Sequence, residues 1–267
     1  MTPDRSVGSL ESALRGRREG GGKALVPYLT GGLGEWRRTL EAVADAGVDG
    51  IEVGIPFSDP VMDGPVIQDA SQRALEQGAT PASILTELSE LDLGVPVAVM
   101  TYYNLVYRYG LERFANELAV AGVAGAILPD LPLDEAGPWL EAAAAAEREP
   151  VLLAAPTSPP ERLEAICERS RGFVYGVGLL GVTGERDALA STAKEVAARL
   201  KATTDVPVLV GVGVSTPEQA VEVCEVADGV VVGSAVVRRI LEGGTPEQVA
   251  ALVGEFRQAL DRAWPTA

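Results

Sequence analysis

The sequence predicts a single-domain α/β protein, a closed (β/α)₈ barrel with an extra N-terminal helix. Three observations carry this. Eight short runs rich in Val, Ile and Leu recur along the chain, and segments with helical spacing separate them. The runs are apolar throughout rather than alternating, as in strands of a parallel sheet buried on both faces. Eight such units in 267 residues match the size of one closed barrel.

Residues 1–20, centred on SLESALRGRRE, predict a helix placed to cover the barrel bottom. The strand runs follow as ALVPYLT (24–30), VDGIEVGI (48–55), VPVAVMTY (95–102), AGAILPD (124–130), EPVLLAAP (149–156), GFVYGVG (172–178), VPVLVGVGV (206–214) and DGVVVGS (228–234). The helical segments are EWRRTLEAVADAG, ASQRALEQG with PASILTELSEL, GLERFANELAVAG, DEAGPWLEAAAAAERE, PPERLEAICERS, STAKEVAARLKA, TPEQAVEVCEVA and TPEQVAALVGEFRQALDRA. They start on Asp, Ser, Thr or Pro signals, and several stop at Gly. The alanine run 142–146 is a strong helix former with no chemistry of its own. The rival architecture, a doubly wound open sheet, calls for a dinucleotide fingerprint at the first strand–helix turn, and TGGLGEW lacks the G-x-G-x-x-G spacing. No linker interrupts residues 1–267, so one domain is expected.

Composition narrows the chemistry. A formal net charge of −16 argues against nucleic acid and anionic membrane surfaces, which need a basic face. An anionic substrate remains compatible, because backbone N–H groups at helix N-termini hold phosphate whatever the global charge. No apolar run approaches the roughly 18 residues of a membrane span, and the first 25 residues lack the apolar core of a secretory signal. Cys167 and Cys224 lie in helical segments and are expected to be free, buried thiols. The expected compartment is the cytoplasm. With no histidine in the chain, triads, Cys-His pairs and histidine metal ligands are ruled out. Acid–base chemistry falls to Asp, Glu, Tyr, Lys or Cys.

The segment IEVGIPFSDPVMDGP (51–65) places a glutamate within an apolar strand. Strand alternation puts Gly50, Glu52 and Gly54 on one face and Ile51, Val53 and Ile55 on the other. The branched residues suit the helix layer, which leaves Glu52 in the open space of the barrel mouth. Desolvation there raises a carboxyl pKa, as a group that both gives and takes a proton near neutrality requires. A structural alternative is a buried cationic partner, but none of the eight strand cores holds Lys or Arg. Asp59 and Asp63 precede Pro and Gly and also read as ordinary turn residues. Two acids four apart could hold a metal ion, but no fuller ligand set accompanies them.

Three glycine-bearing stretches lie after the sixth, seventh and eighth strands: GVTGE (181–185), VGVGVSTPEQ (210–219) and VVVGSAVVRRI (230–240), where Ser234 can cap a short helix. Barrels of this kind bind phosphate with the loops after strands seven and eight and a short extra helix. Glycine lets the backbone approach the oxygens, although glycines also end strands for packing reasons.

The segment IEVGIPFSDPVMDGPVIQDAS resembles the signature of the tryptophan synthase α-subunit family. VPYLTGG, VMTYYNLVYRYG, LPDLP, RGFVYGVGLLGVTG, VGVGVSTPEQ and DGVVVGSAVV follow in the family's order and spacing over nearly the whole chain. The resemblance implies a (β/α)₈ barrel that cleaves indole-3-glycerol phosphate to indole and glyceraldehyde 3-phosphate by a retro-aldol route. It implies no cofactor in this chain. The partner it implies is a β subunit that carries pyridoxal phosphate and receives the indole in an α2β2 heterotetramer. By resemblance Glu52 and Asp63 are the catalytic acids and Tyr175 the active-site tyrosine. Thr183 is then the loop threonine that meets the aspartate on closure. Gly184, Gly213, Gly233 and Ser234 match the phosphate site, and Tyr28, Ile127, Leu153, Val212 and Val231 the indole pocket. Pro56 and Asp59 match the loop that touches the β subunit.

Two departures stand out. Gly178 and Leu179 replace a serine and an arginine found in some members, which bears on loop closure and its control by the partner. Tyr28 stands where a phenylalanine is common. Three other functions compete: a lyase that releases free indole without a partner, another phosphate-binding barrel such as a sugar-phosphate isomerase, and a non-catalytic binding subunit. The isomerase would not need the SDPxxDGP loop, and retention of both acids argues against the binding subunit.

Overall fold

A computed structural model describes residues 7–178, 186–211 and 213–266, with the backbone alone for 186–191. Its eight strands are β1 (Ala24–Thr30), β2 (Ile51–Gly54), β3 (Val97–Met100), β4 (Gly125–Ile127), β5 (Glu149–Ala154), β6 (Val174–Gly176), β7 (Val208–Val210) and β8 (Gly229–Val232). All neighbouring pairs are parallel, and the β1–β8 pairing closes the barrel. Each strand lies inside one of the eight apolar runs.

The helices among the described residues are α1 (Ser9–Glu19), α2 (Trp36–Ala44), α3 (Pro65–Glu76), α4 (Pro81–Ser89), α5 (Tyr103–Tyr109), α6 (Leu111–Val120), α7 (Gly137–Ala145), α8 (Pro160–Arg169), α9 (Arg186–Thr203), α10 (Pro217–Cys224), α11 (Ser234–Leu241) and α12 (Pro246–Ala263). Thr80, Thr216 and Thr245 each precede a Pro and close capping boxes with Ser83, Gln219 and Gln248, so α4, α10 and α12 start where the sequence signals place them. Helix α5 is one of several without such a signal. Its sequence YNLVYRY is aromatic and branched, and it starts because the Asp130 side chain accepts the Tyr103 N–H at 2.8 Å.

Strand alternation divides the core into two layers. Outward residues such as Leu25, Leu29, Ile51, Val53, Val97 and Val99 pack under the helices. Inward residues, including Val26, Tyr28, Ile127, Val151, Phe173, Tyr175, Leu209 and Val231, fill the interior. The bottom is closed by α1, as the sequence predicts, through fully buried Leu10 and Leu14. The Glu149 carboxylate accepts the Leu10 and Glu11 N–H groups at 3.0 and 2.9 Å, capping α1 from the start of β5. Arg17 pairs with Asp49 at 2.6 Å and fixes the other end of the helix. A cavity of about 760 Å³ opens beside this contact, lined by Gly8, Arg148, Glu149 and Arg169. It lies at the N-terminal ends of the strands, away from the inward acid of β2. Cys167 and Cys224 are free and buried. No described helix is long and apolar enough to cross a membrane.

Candidate active site

Everything the sequence marks as chemical, within the described residues, gathers at the C-terminal ends of the strands, where barrels of this type work. Glu52 lies opposite Tyr28 of β1 and Ala98 of β3 in the strand register. It is 1% exposed, and its Oε2 has no hydrogen-bond partner among the described residues. The space around it is made by small neighbours. A side chain at Gly54, the next inward position, would put its Cβ 1.9 Å from the Tyr28 hydroxyl. Burial, reinforced by the nearby Asp63 charge, pushes the Glu52 carboxyl up to about 8. At neutral pH it is a protonated acid.

Asp63 sits on the turn between β2 and α3. Its N–H bonds the Pro60 carbonyl at 3.0 Å, and its carbonyl accepts from the Gln68 amide at 2.8 Å. Burial raises its carboxyl to about 6, and a hydrogen bond with Tyr102 opposes the rise. The two acids therefore differ: near neutral pH Glu52 favours the neutral form and Asp63 the ionised one. Tyr175 points inward from β6, paired with Leu153 and Leu209, and its hydroxyl occupies the space that a side chain at Gly211 would fill, 2.0 Å from that Cβ. Burial and the Glu52 charge keep its phenol protonated.

Tyr28, Ile127, Val231 and Tyr175 belong to one buried interior cluster, against which half-buried Leu153 packs. Met100 joins the same cluster. The sequence reading omitted it, although alternation from Ala98 places it inward opposite Ile127. This is an apolar chamber with two acids at its mouth, suited to a flat aromatic group.

Gly213 follows β7 with φ +86°, a backbone state that favours glycine. Gly233 ends β8, and Ser234 opens α11. Here the prediction needs correction. Gly233, not Ser234, occupies the cap position, and no side chain caps the helix. The first N–H groups of α11 are therefore left without a side-chain cap at the end of β8, and Gly213 follows the paired strand β7, an arrangement that fits an anion. Thr183, Gly184, Val212 and Leu179 lie outside the described residues; Gly178 is buried.

On the loop after β2, Asp59 is exposed and its carboxylate accepts from Ser58, whereas Pro56 is buried within the chain itself. Beside Asp59, Val61 and Met62 expose apolar surface, at 81% and 43%. Among the described residues no group of three or more Cys, Asp or Glu is placed to hold a metal ion. Tyr102 was also missed: a tyrosine at a strand end reads as a core aromatic, and nothing in the sequence links it to Asp63.

The family model described as "Tryptophan synthase alpha chain" matches residues 14–264. The chain is 43% identical over 261 residues to a tryptophan synthase alpha chain of Picosynechococcus sp., covering 96% of this chain and 98% of the relative. It is 44% identical over 263 residues to that of Streptomyces coelicolor, covering 97% and 96%. Among solved structures it is similar to a ligand-free tryptophan synthase from M. tuberculosis, with TM-score 0.87 and 39% identity over 95% of this chain and 99% of that one. A tryptophan synthase alpha chain from Legionella pneumophila gives TM-score 0.86 and 32% identity, covering 96% and 98%.

Proposed function

The chain belongs to the tryptophan synthase alpha chain family, and from that premise we propose how its own residues carry the α reaction, the cleavage of indole-3-glycerol phosphate to indole and glyceraldehyde 3-phosphate. One observation supports the assignment most: a buried, unpartnered carboxyl, held neutral, faces an ionised carboxylate at the mouth of an apolar chamber.

Glu52 gives its proton to C3 of the indole ring. Asp63 accepts the ring N–H and offsets the positive charge that C3 protonation creates. Glu52, now a carboxylate, takes the proton of the adjacent glycerol hydroxyl as the carbon–carbon bond breaks. Indole leaves with the bonding pair returned to its ring, the aldehyde forms, and Glu52 ends as it began. No external acid or base is consumed. Tyr175 closes the chamber wall over the glycerol chain. Gly213, Gly233, Ser234 and, from the loop outside the described residues, Gly184 hold the phosphate, while Thr183 meets Asp63 on closure. Tyr28, Ile127, Leu153, Val212 and Val231 sandwich the ring.

The alpha chain has no cofactor of its own; pyridoxal phosphate belongs to the β subunit, the partner that receives the indole. We place the complex as an α2β2 heterotetramer in the cytoplasm. Asp59, with Val61 and Met62, offers the β subunit an exposed patch next to the catalytic turn. Indole release by the purified chain, alone and with a β subunit, tests the assignment. Glu52→Gln and Asp63→Asn should each lose on the order of 10²- to 10⁴-fold in kcat, the usual worth of a positioned acid or base. Full activity in the Glu52 variant would remove it from the mechanism.

A further inference from the structure

We propose that Tyr102 is the positioning residue for Asp63: its hydroxyl accepts the Met62 backbone N–H and donates its own hydrogen to the Asp63 carboxylate, so one phenol fixes both the turn and the acid on it. This deepens the mechanism above and rests on the role given there to Asp63.

The ring itself is well anchored. Tyr102 follows β3, and the preceding Thr101 bonds both neighbouring strand ends, its N–H to the Ile127 carbonyl at 3.1 Å and its hydroxyl to the Ile55 carbonyl at 3.3 Å. The following Tyr103 N–H is held by Asp130. The Tyr102 ring is 4% exposed and packs on Phe57, with centroids 5.1 Å apart and planes inclined by 30°. Its oxygen lies 2.9 Å from the Met62 nitrogen.

A phenol has one hydrogen. The Met62 N–H takes an oxygen lone pair, so that hydrogen is left for an acceptor, and the Asp63 carboxylate is the acceptor within reach. The other ties on the turn, Asp63 N–H to Pro60 and Gln68 to the Asp63 carbonyl, grip its backbone and leave the carboxylate free. Val61 and Met62 are too exposed to hold the turn by packing. Among the described residues, the titratable groups that face Asp63 are Glu52 from β2, Tyr28 from β1 and Tyr175 from β6, with Asp130 beyond Tyr102, and none of these is a cation. The Tyr102 hydrogen bond is therefore what favours the ionised Asp63 against its burial.

The test is the pH profile of kcat/KM for indole formation from indole-3-glycerol phosphate, with the chain bound to a β subunit. Tyr102→Phe keeps the ring on Phe57 and removes only the hydroxyl. Its kcat should fall roughly 10- to 100-fold at neutral pH, the worth of a hydrogen bond to a charged group. The acid limb should move to higher pH, with KM changed less than kcat. A merely structural role would lower the rate without moving that limb. Site-specific 3-fluorotyrosine at position 102, a more acidic donor in the same packing, should move the limb the opposite way. An unmoved limb in both variants overturns the proposal. Asp63→Asn is measured beside them. If it is inactive while Tyr102→Phe behaves as wild type, only the Tyr102 role falls. If Asp63→Asn is fully active, the mechanism falls with it.

Discussion

Replacing Glu52 by Gln should lower kcat on the order of 10²- to 10⁴-fold and, at the same time, make the protein more stable, by an amount that grows with pH. Glu52 is 1% exposed, its Oε2 is unpartnered, and its carboxyl is raised from 4.5 to about 8. A carboxyl whose pKa is higher folded than unfolded favours the fold most at low pH. That contribution is complete below 4.5, declines as pH rises, and is gone above about 8. At about 1.4 kcal/mol per pH unit, the interval corresponds to roughly 5 kcal/mol, an upper bound because water entering the mouth screens the charge. Gln is neutral at every pH and close in shape. It leaves the same unpartnered position as the protonated acid, so the two proteins should match in stability near pH 4.5. Urea denaturation of both, from about pH 5 to pH 9, reads the difference directly. The stability gap should widen with a slope approaching 1.4 kcal/mol per pH unit, roughly, until about pH 8 and then level off. A gap independent of pH, or a Gln variant less stable at pH 8, would mean that Glu52 is ionised and satisfied in the folded protein. The acid role assigned to it would then fail.

Three further substitutions probe the scaffold around the acids. Gly211→Ala would place a Cβ 2.0 Å from the Tyr175 hydroxyl; the ring must move, and we expect a loss of about 1–3 kcal/mol in denaturation together with a lower kcat. Gly213→Ala forces φ +86° on a residue with a Cβ, at about 1–2 kcal/mol, and should raise KM for the phosphate substrate more than it lowers kcat. Unchanged KM would remove Gly213 from the phosphate site. Leu10→Ala empties a fully buried position under the barrel; it should cost about 2–5 kcal/mol in urea denaturation while kcat at 25 °C stays at the wild-type value. A large kcat loss there would show that the barrel bottom communicates with the site.

Strand number, barrel closure and the inward direction of Glu52 are legible in the sequence, because they depend on local periodicity. Ile51, Val53 and Ile55 go outward together, and Glu52 is left facing in. The capping threonines and the covering helix α1 belong to the same class, since a cap or an apolar stripe is written within a few residues. What tertiary structure alone decided is which side chains meet. Tyr102 and Asp63 are 39 positions apart in the numbering of the chain, and they come to the same rim because the Ile55 N–H bonds the Met100 carbonyl at the end of the β2–β3 ladder, which carries both following loops there. The start of α5 depends on an Asp130 carboxylate delivered from the end of β4. The cap of α11 fell to Gly233 rather than Ser234 because the chain turns at the strand end. The raised carboxyls are of this second kind too. Residue type supplied the acids, but their protonation states follow from burial and from the charge across the chamber, both of which exist only once the barrel has closed.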